Sequence, residues 1–213
     1  TSINDTSNNI NSTNFIVTVQ DTIAPNISGY VEQILEFSKD PLSYDINATD
    51  HNTLDNWWIN DTSNFAIIEG TGVISNTTLL SVGRYHVNIS INDTSNNINS
   101  TNFIVKVEDT IAPNISGYVE QILEFSKDSL SYDINATDSS PLDDWWINDT
   151  SNFAIVEGTG VISNTTLLNV GRYHVNISIN DTSNNINSTN FIVKVEDTIT
   201  PNISGYIDQT LEL

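Results

Sequence analysis

The residues with the clearest chemical use are asparagines followed, two places on, by serine or threonine. In N-x-[ST] with x not proline, the side-chain amide nitrogen is the acceptor of an N-linked glycan, so the spacing is itself a chemical signal. It occurs at Asn4, Asn11, Asn26, Asn47, Asn60, Asn76, Asn88, Asn92, Asn99, Asn114, Asn135, Asn148, Asn164, Asn176, Asn180, Asn187 and Asn202, 17 sites in 213 residues. Asn, Ser and Thr are abundant, but the 13 asparagines between Asn26 and Pro113 would give about three sites by chance, and seven stand there. An acceptor must be exposed, so the position of each asparagine on its element decides its use.

Other side chains offer less. Six basic against 27 acidic residues leave a formal charge of −21, which repels nucleic acid and anionic lipid. Cysteine is absent, which excludes a disulfide framework or a thiolate nucleophile. His86 and His174 fall on outward strand positions, and the third histidine, His51, is matched by Ser139 in the corresponding place further on. Asp40, Asp45, Asp55, Asp61 and Glu69 could pair as glycosidase carboxylates, but nothing places two of them across a cleft. No nucleophile elbow, H-E-x-x-H pair or phosphate-cradling loop occurs. No run approaches the roughly 18 to 20 apolar residues of a membrane span. The expectation is a chain with no catalytic residue, no cofactor beyond covalent glycan, no nucleic-acid partner and no membrane insertion in this segment.

Two tryptophan pairs stand out, Trp57 with Trp58 and Trp145 with Trp146. Adjacent residues of a strand point to opposite faces. Because Asn60 shares the parity of Trp58, Trp57 is assigned to the core, and Trp58 and Trp146 to the surface. There an indole either stacks on a sugar or covers the next loop.

The elements that must position these groups read as strands. GRYHVNISIND alternates, with Tyr85, Val87, Ile89 and Ile91 on a core face and His86, Asn88, Ser90 and Asn92 on a solvent face. LSYDINATD puts Leu42, Tyr44, Ile46 and Ala48 inside, and NFIVKVED puts Phe103, Val105 and Val107 inside with Ile104 and Lys106 outside. SNN and NST are read as the turn between the last two strands. VEQILEFS suits either period until its later copy is compared. Thr210 would spoil a helical stripe where Leu211 and Leu213 keep the alternating face apolar, so a strand is expected. With NWWIND, NFAII and GVISNTTLL this makes about seven strands and no helix. Asn47, Asn88 and Asn92 take outward parity, Asn26 and Asn99 a junction and a turn, and Asn76 the less favourable parity of Ile74.

INDTSNNINSTNFIV begins at Ile3, Ile91 and Ile179, a constant spacing of 88. Residues 26–113 and 114–201 are identical at 80 of 88 positions, with Pro41/Ser129, His51/Ser139 and Ile68/Val156 among the differences. That period exceeds solenoid repeats and suits self-contained sandwiches. The organisation expected is 1–25 as the C-terminal strands of a preceding repeat, 26–113 and 114–201 as complete repeats, and 202–213 as the first strand of a following one. The whole reads as a window on a longer array.

In order, SYDINATD, NWWI, NFAIIEGTGVISNTTLL, YHVNISIND and FIVKVEDTIAP resemble the cadherin-like and immunoglobulin-like repeats of prokaryotic, notably archaeal, cell-surface proteins. The motifs in common are an alternating strand ending in A-x-D, a T-G-x-I turn, a Y-x-V strand and a last strand closing on D-x-x-x-P. The resemblance implies tandem seven-stranded Greek-key sandwiches in an extracellular fibre, stalk or adhesin. It departs from cadherins at their calcium sites. Asp50 is followed by His-Asn and Asp138 by Ser-Ser, so the second acid of a D-x-D pair is missing. Asp50, Asp93 and Asp109 could still gather around Ca²⁺, which needs six to eight oxygens, but they are read as solvated strand-end acids. The linker VEDTIAPNISG is short and carries a proline, which favours a stiff line of beads adding on the order of 40 Å each. The function expected is a structural, N-glycosylated fibre or stalk whose partners are further repeats and neighbouring copies. The alternative is a multivalent adhesin or carbohydrate-binding array using Trp58 and Trp146.

Overall fold

The computed structural model describes residues 1–205, and of the strand expected over 202–213 all but the first four residues lie outside that range. The chain divides into two compact units, Thr1–Glu108 and Asp109–Leu213. The first begins with a hairpin of β1 (Ser2–Asn4) and β2 (Ile10–Ser12). Its sandwich is built from β3 (Asn26–Ser28), β4 (Gln33–Glu36), β5 (Ser43–Asp45), β6 (Asn47–Thr49), β7 (Leu54–Ile59), β8 (Phe65–Ile67), β9 (Val73–Asn76), β10 (Gly83–Asp93) and β11 (Ile98–Glu108). One sheet has the order β4-β11-β10-β7, and the other face is made by the β3-β6 and β5-β9-β8 ladders.

These nine segments make seven strands, because β3 with β4, and β5 with β6, are single strands interrupted part-way. At the second interruption the Ile46 amide donates to the Gly72 carbonyl at 3.2 Å instead of to a neighbouring strand. Gly72 sits at φ +79°, and a Cβ there would lie 2.5 Å from the Ile46 carbonyl and 2.9 Å from the Trp57 ring, so only glycine lets the turn seat against both. The first strand switches sheets: β3 pairs antiparallel with β6, whereas β4 runs parallel to β11, with Gln33 opposite Val105 and Leu35 opposite Val107.

The alternating faces place Leu35, Leu42, Ile46, Trp57, Ile59, Phe65, Ile74, Val87, Ile89, Ile91, Phe103, Val105 and Val107 in one buried cluster. Within VEQILEFS the strand covers Gln33–Glu36, with Leu35 buried and Ile34 exposed, and Phe37 and Ser38 begin the turn that follows. The β10–β11 turn is shorter than expected: NST continues β11, and Asn96 takes the left-handed conformation at φ 64°. β10 and β7 part register between Ile91 and Asp93.

The second unit repeats the plan with β12 (Asn114–Ser116), β13 (Gln121–Glu124), β14 (Ser131–Asp133), β15 (Asn135–Thr137), β16 (Leu142–Ile147), β17 (Phe153–Ile155), β18 (Val161–Asn164), β19 (Gly171–Asp181) and β20 (Ile186–Glu196). Its sheets have the same order and its core the equivalent residues. Both units are all-β sandwiches of the immunoglobulin-like and cadherin-like class, and the described residues contain no helix.

Candidate functional site

The acceptor asparagines fall into two structural groups. Asn4, Asn11, Asn26, Asn47, Asn60, Asn88, Asn114, Asn135, Asn148, Asn176 and Asn202 are exposed. Asn60 turns its oxygen toward β10, accepting from the Asn88 amide at 2.9 Å, and the Asn148 oxygen accepts from the Asn176 amide at the same distance. Asn76, Asn92, Asn99 and their equivalents Asn164, Asn180 and Asn187 are half-buried.

These six are structural pegs. Asn76 receives the Leu42 amide at 2.7 Å and donates to the Thr78 carbonyl at 2.8 Å, tying two loops together. Asn92, placed outward from its parity, fills the register break: it accepts from the Asn56 amide and donates to both Asp55 and the Asp93 carbonyl. Asn99 donates to the Pro25 carbonyl, and Asn187 to the Pro113 carbonyl, each at 2.8 Å. Asn99 stands in β11 rather than in a turn.

Trp57 is buried and Trp58 is 40% exposed, and Trp145 and Trp146 divide the same way. Trp58 lies opposite Ser90 in the ladder, and Ser90, expected on a solvent face, is buried with its hydroxyl 2.8 Å from that of Ser100. Next to Trp146 the second unit has a groove of about 290 Å³, bordered by Trp145, Trp146, Thr150, Ala154, Glu157 and Thr165.

The acids correct the sequence reading most. Asp93 and Asp181 are fully buried and Asp109 nearly so, not solvated. They gather as Asp21, Asp50 and Asp93 in one unit, and as Asp109, Asp138 and Asp181 in the other, with ligand oxygens within 4.8 Å of one another. Asp109 therefore joins the acids of the second repeat and not Asp50 and Asp93. The reason is local: Asn185 and Asn187 donate to the Asp109 and Pro113 carbonyls, holding the linker against the repeat that follows it. Burial works to raise the Asp93 carboxyl, but hydrogen bonds from the Asn97 side chain and from the Asn97 and Ser95 amides outweigh it and leave the group below its ordinary range.

The two clusters differ in one contact. In the second, the Ser140 hydroxyl donates to Asp109 Oδ2. In the first, the residue in that place is Asn52, whose amide turns to Ser95, and Asp21 Oδ2 is buried with no partner. A hard divalent cation such as Ca²⁺ suits an all-carboxylate donor set with an unsatisfied buried oxygen, three residues supplying part of its six to eight ligands. The sequence signal was present in the recurring D-T-I-A-P acid, but its pairing partners depend on which way the linker folds.

No protein-family model and no curated protein matches the chain. Among solved structures it is similar to mouse cadherin-23 EC22-24, at 19% identity and TM-score 0.43 over 84% of this chain and 67% of that one. It is similar to Drosophila N-cadherin EC1-4 at 14% identity and TM-score 0.37 over 83% of this chain, which spans about half (51%) of that fragment. It is also similar to titin domains z1z2, at 9% identity and TM-score 0.49 over 84% of this chain and 100% of that one. Nothing about activity or partners follows from likenesses at this level.

Proposed function

We propose that the chain is part of a structural extracellular fibre or stalk of tandem β-sandwich repeats, N-glycosylated on its outward faces and non-catalytic, on a prokaryotic, archaeal cell surface. The observation that carries this reading is the repetition of open acceptors: Asn26, Asn47, Asn60 and Asn88 are exposed, and so are Asn114, Asn135, Asn148 and Asn176. Near-identical β-domains invite edge pairing and mispairing, and bulky hydrophilic groups on outward faces obstruct both. Further repeats and neighbouring copies would be the partners of such a chain. Peptide mapping of natively produced protein tests the reading. Glycans at these eight positions support it, and bare amides at all of them would overturn it.

A multivalent adhesin is the second reading, favoured by the exposed Trp146 beside its groove. Binding on a glycan array that disappears in Trp58→Ala and Trp146→Ala variants would favour it over the stalk. The buried, unpartnered Asp21 Oδ2 supports a Ca²⁺ ion at the first acidic cluster, where it would stiffen the approach of the linker to its sandwich.

A further inference from the structure

Trp58 and Asn60, and equally Trp146 and Asn148, stand two residues apart on one outward face, with Ile59 and Ile147 buried between them. Asn60 and Asn148 follow directly on the ends of β7 and β16, and their amides still donate to the Asn88 and Asn176 carbonyls at 3.1 Å. The strand spacing of about 7 Å between alternate residues therefore carries on to them, the distance at which a pyranose on the asparagine nitrogen reaches the indole. The amide planes are set by the main chain. Asn60 Oδ1 is held toward β10 by the Asn88 amide, and Asn148 Oδ1 toward β19 by the Asn176 amide, both at 2.9 Å. In each case the nitrogen is the arm turned away from that neighbour. Both β7 and β16 end their four-stranded sheets, so an arm turned from β10 or β19 points away from the rest of the sheet, along an edge where the Trp57 and Trp145 amides donate to the Glu69 and Glu157 carbonyls at 3.0 Å. In the second unit that edge holds the groove between Trp146 and Thr150, the hydroxyl residue of the Asn148 acceptor motif, with Glu157 on its border to accept from sugar hydroxyls.

We propose that Trp58 and Trp146 are seats for the chain's own sugars, each packing the first pyranose of the glycan on Asn60 or Asn148. The proposal rests on the glycosylation reading above and names what the exposed tryptophans are for within it. Attachment takes one hydrogen from Nδ2 as a proton, forms the Nδ2–C1 bond, and releases the phosphate of a lipid-linked glycosyl donor with the electrons of the broken C1–O bond. The apolar face of the pyranose then lies on the indole, as flat apolar surfaces pack on aromatic rings. A platform filled in this way is closed to free carbohydrate, so the same residues argue for the stalk over the adhesin.

The test is a double-mutant cycle on glycosylated full-length protein, comparing wild type, Trp146→Ala, Asn148→Gln and the double variant, with site occupancy measured by glycopeptide mass spectrometry. With Asn148 occupied, Asn148→Gln is expected to melt about 2 to 4 °C lower than wild type, and the same change in the Trp146→Ala background is expected to lower melting clearly less. Upfield ring-current shifts of the first sugar's protons, lost in Trp146→Ala and partly kept in Trp146→Phe, report the contact even if melting is insensitive. An occupied Asn148 with additive melting shifts and no ring-current shift would overturn the seat and leave the glycosylated stalk standing. A bare Asn148 among otherwise occupied sites would also overturn the seat, and bare amides throughout would remove both.

Discussion

Asn92 satisfies the acceptor pattern as fully as Asn60, yet its amide spends both hydrogens on Asp55 and the Asp93 carbonyl. A glycan on Nδ2 would displace one of those bonds at a half-buried site. Occupancy should therefore be lower at Asn76, Asn92, Asn99 and their second copies than at Asn47, Asn60 and Asn88, which quantitative glycopeptide mapping checks. The carboxylates give a second residue-scale prediction. Hydrogen bonds from the Asn64 side chain and from Ser63 hold Asp61 below the ordinary carboxylate value, as Asn152 and Ser151 do for Asp149. The unfolded chain keeps that value, about 3.9, so the stabilisation is complete above it and is lost as pH falls through the lower folded value. Asn64→Ala should raise the Asp61 titration midpoint measured by NMR and flatten the dependence of stability on pH below about 4. For the acidic clusters, added Ca²⁺ should raise the melting temperature and EDTA reverse it. Asp21→Asn should remove more of that rise than Asp109→Asn, because only Asp109 has a hydroxyl already donating to it.

At the scale of elements, the Gly72 turn and the strand break at Ile46 form one device. Gly72→Ala forces a Cβ against the Ile46 carbonyl and Trp57, whereas Gly29, also at positive φ, has open space around its missing side chain. Gly29→Ala should cost about 1 kcal/mol. Gly72→Ala should cost about 3 kcal/mol or more in denaturant unfolding, because strain adds to conformation. This element also shows what was legible in the sequence. Alternation of Tyr85, Val87, Ile89 and Ile91, and of Phe103, Val105 and Val107, gave their strands and inward faces, because an inward side chain must be apolar. It could not show that Ser90 is covered, since a period of two separates faces without saying what packs over the outer one. Nor could it show that Asp93 and Asp181 are buried, because their shielding comes from a linker more than 70 residues away in sequence. The acceptor motifs were fully readable. The division between open amides and pegs was not, because it depends on a register break and on loop carbonyls that only the folded sheet brings near.

For the whole molecule, near-identity of two successive sandwiches is a folding hazard, since strands of one repeat fit the other's sheets. A charge of −21 opposes the encounter of unfolded segments, and salt screens that repulsion. Refolding yield of unglycosylated protein should fall as ionic strength rises from about 0.01 to 1 M, with dimers and larger species appearing in light scattering. An unchanged yield would mean that charge plays no part in keeping the repeats apart. The parallel ladder between β4 and β11 bears on a different hazard. The chain enters each sandwich close to one end of this ladder and leaves at the other, with Gln33 opposite Val105 and Glu36 opposite Glu108. Tension along the backbone drags the two strands past each other, so the rungs share the load and must break together rather than peel one at a time. Each sandwich thereby carries a built-in shear clamp, suited to a molecule that is tugged from both ends.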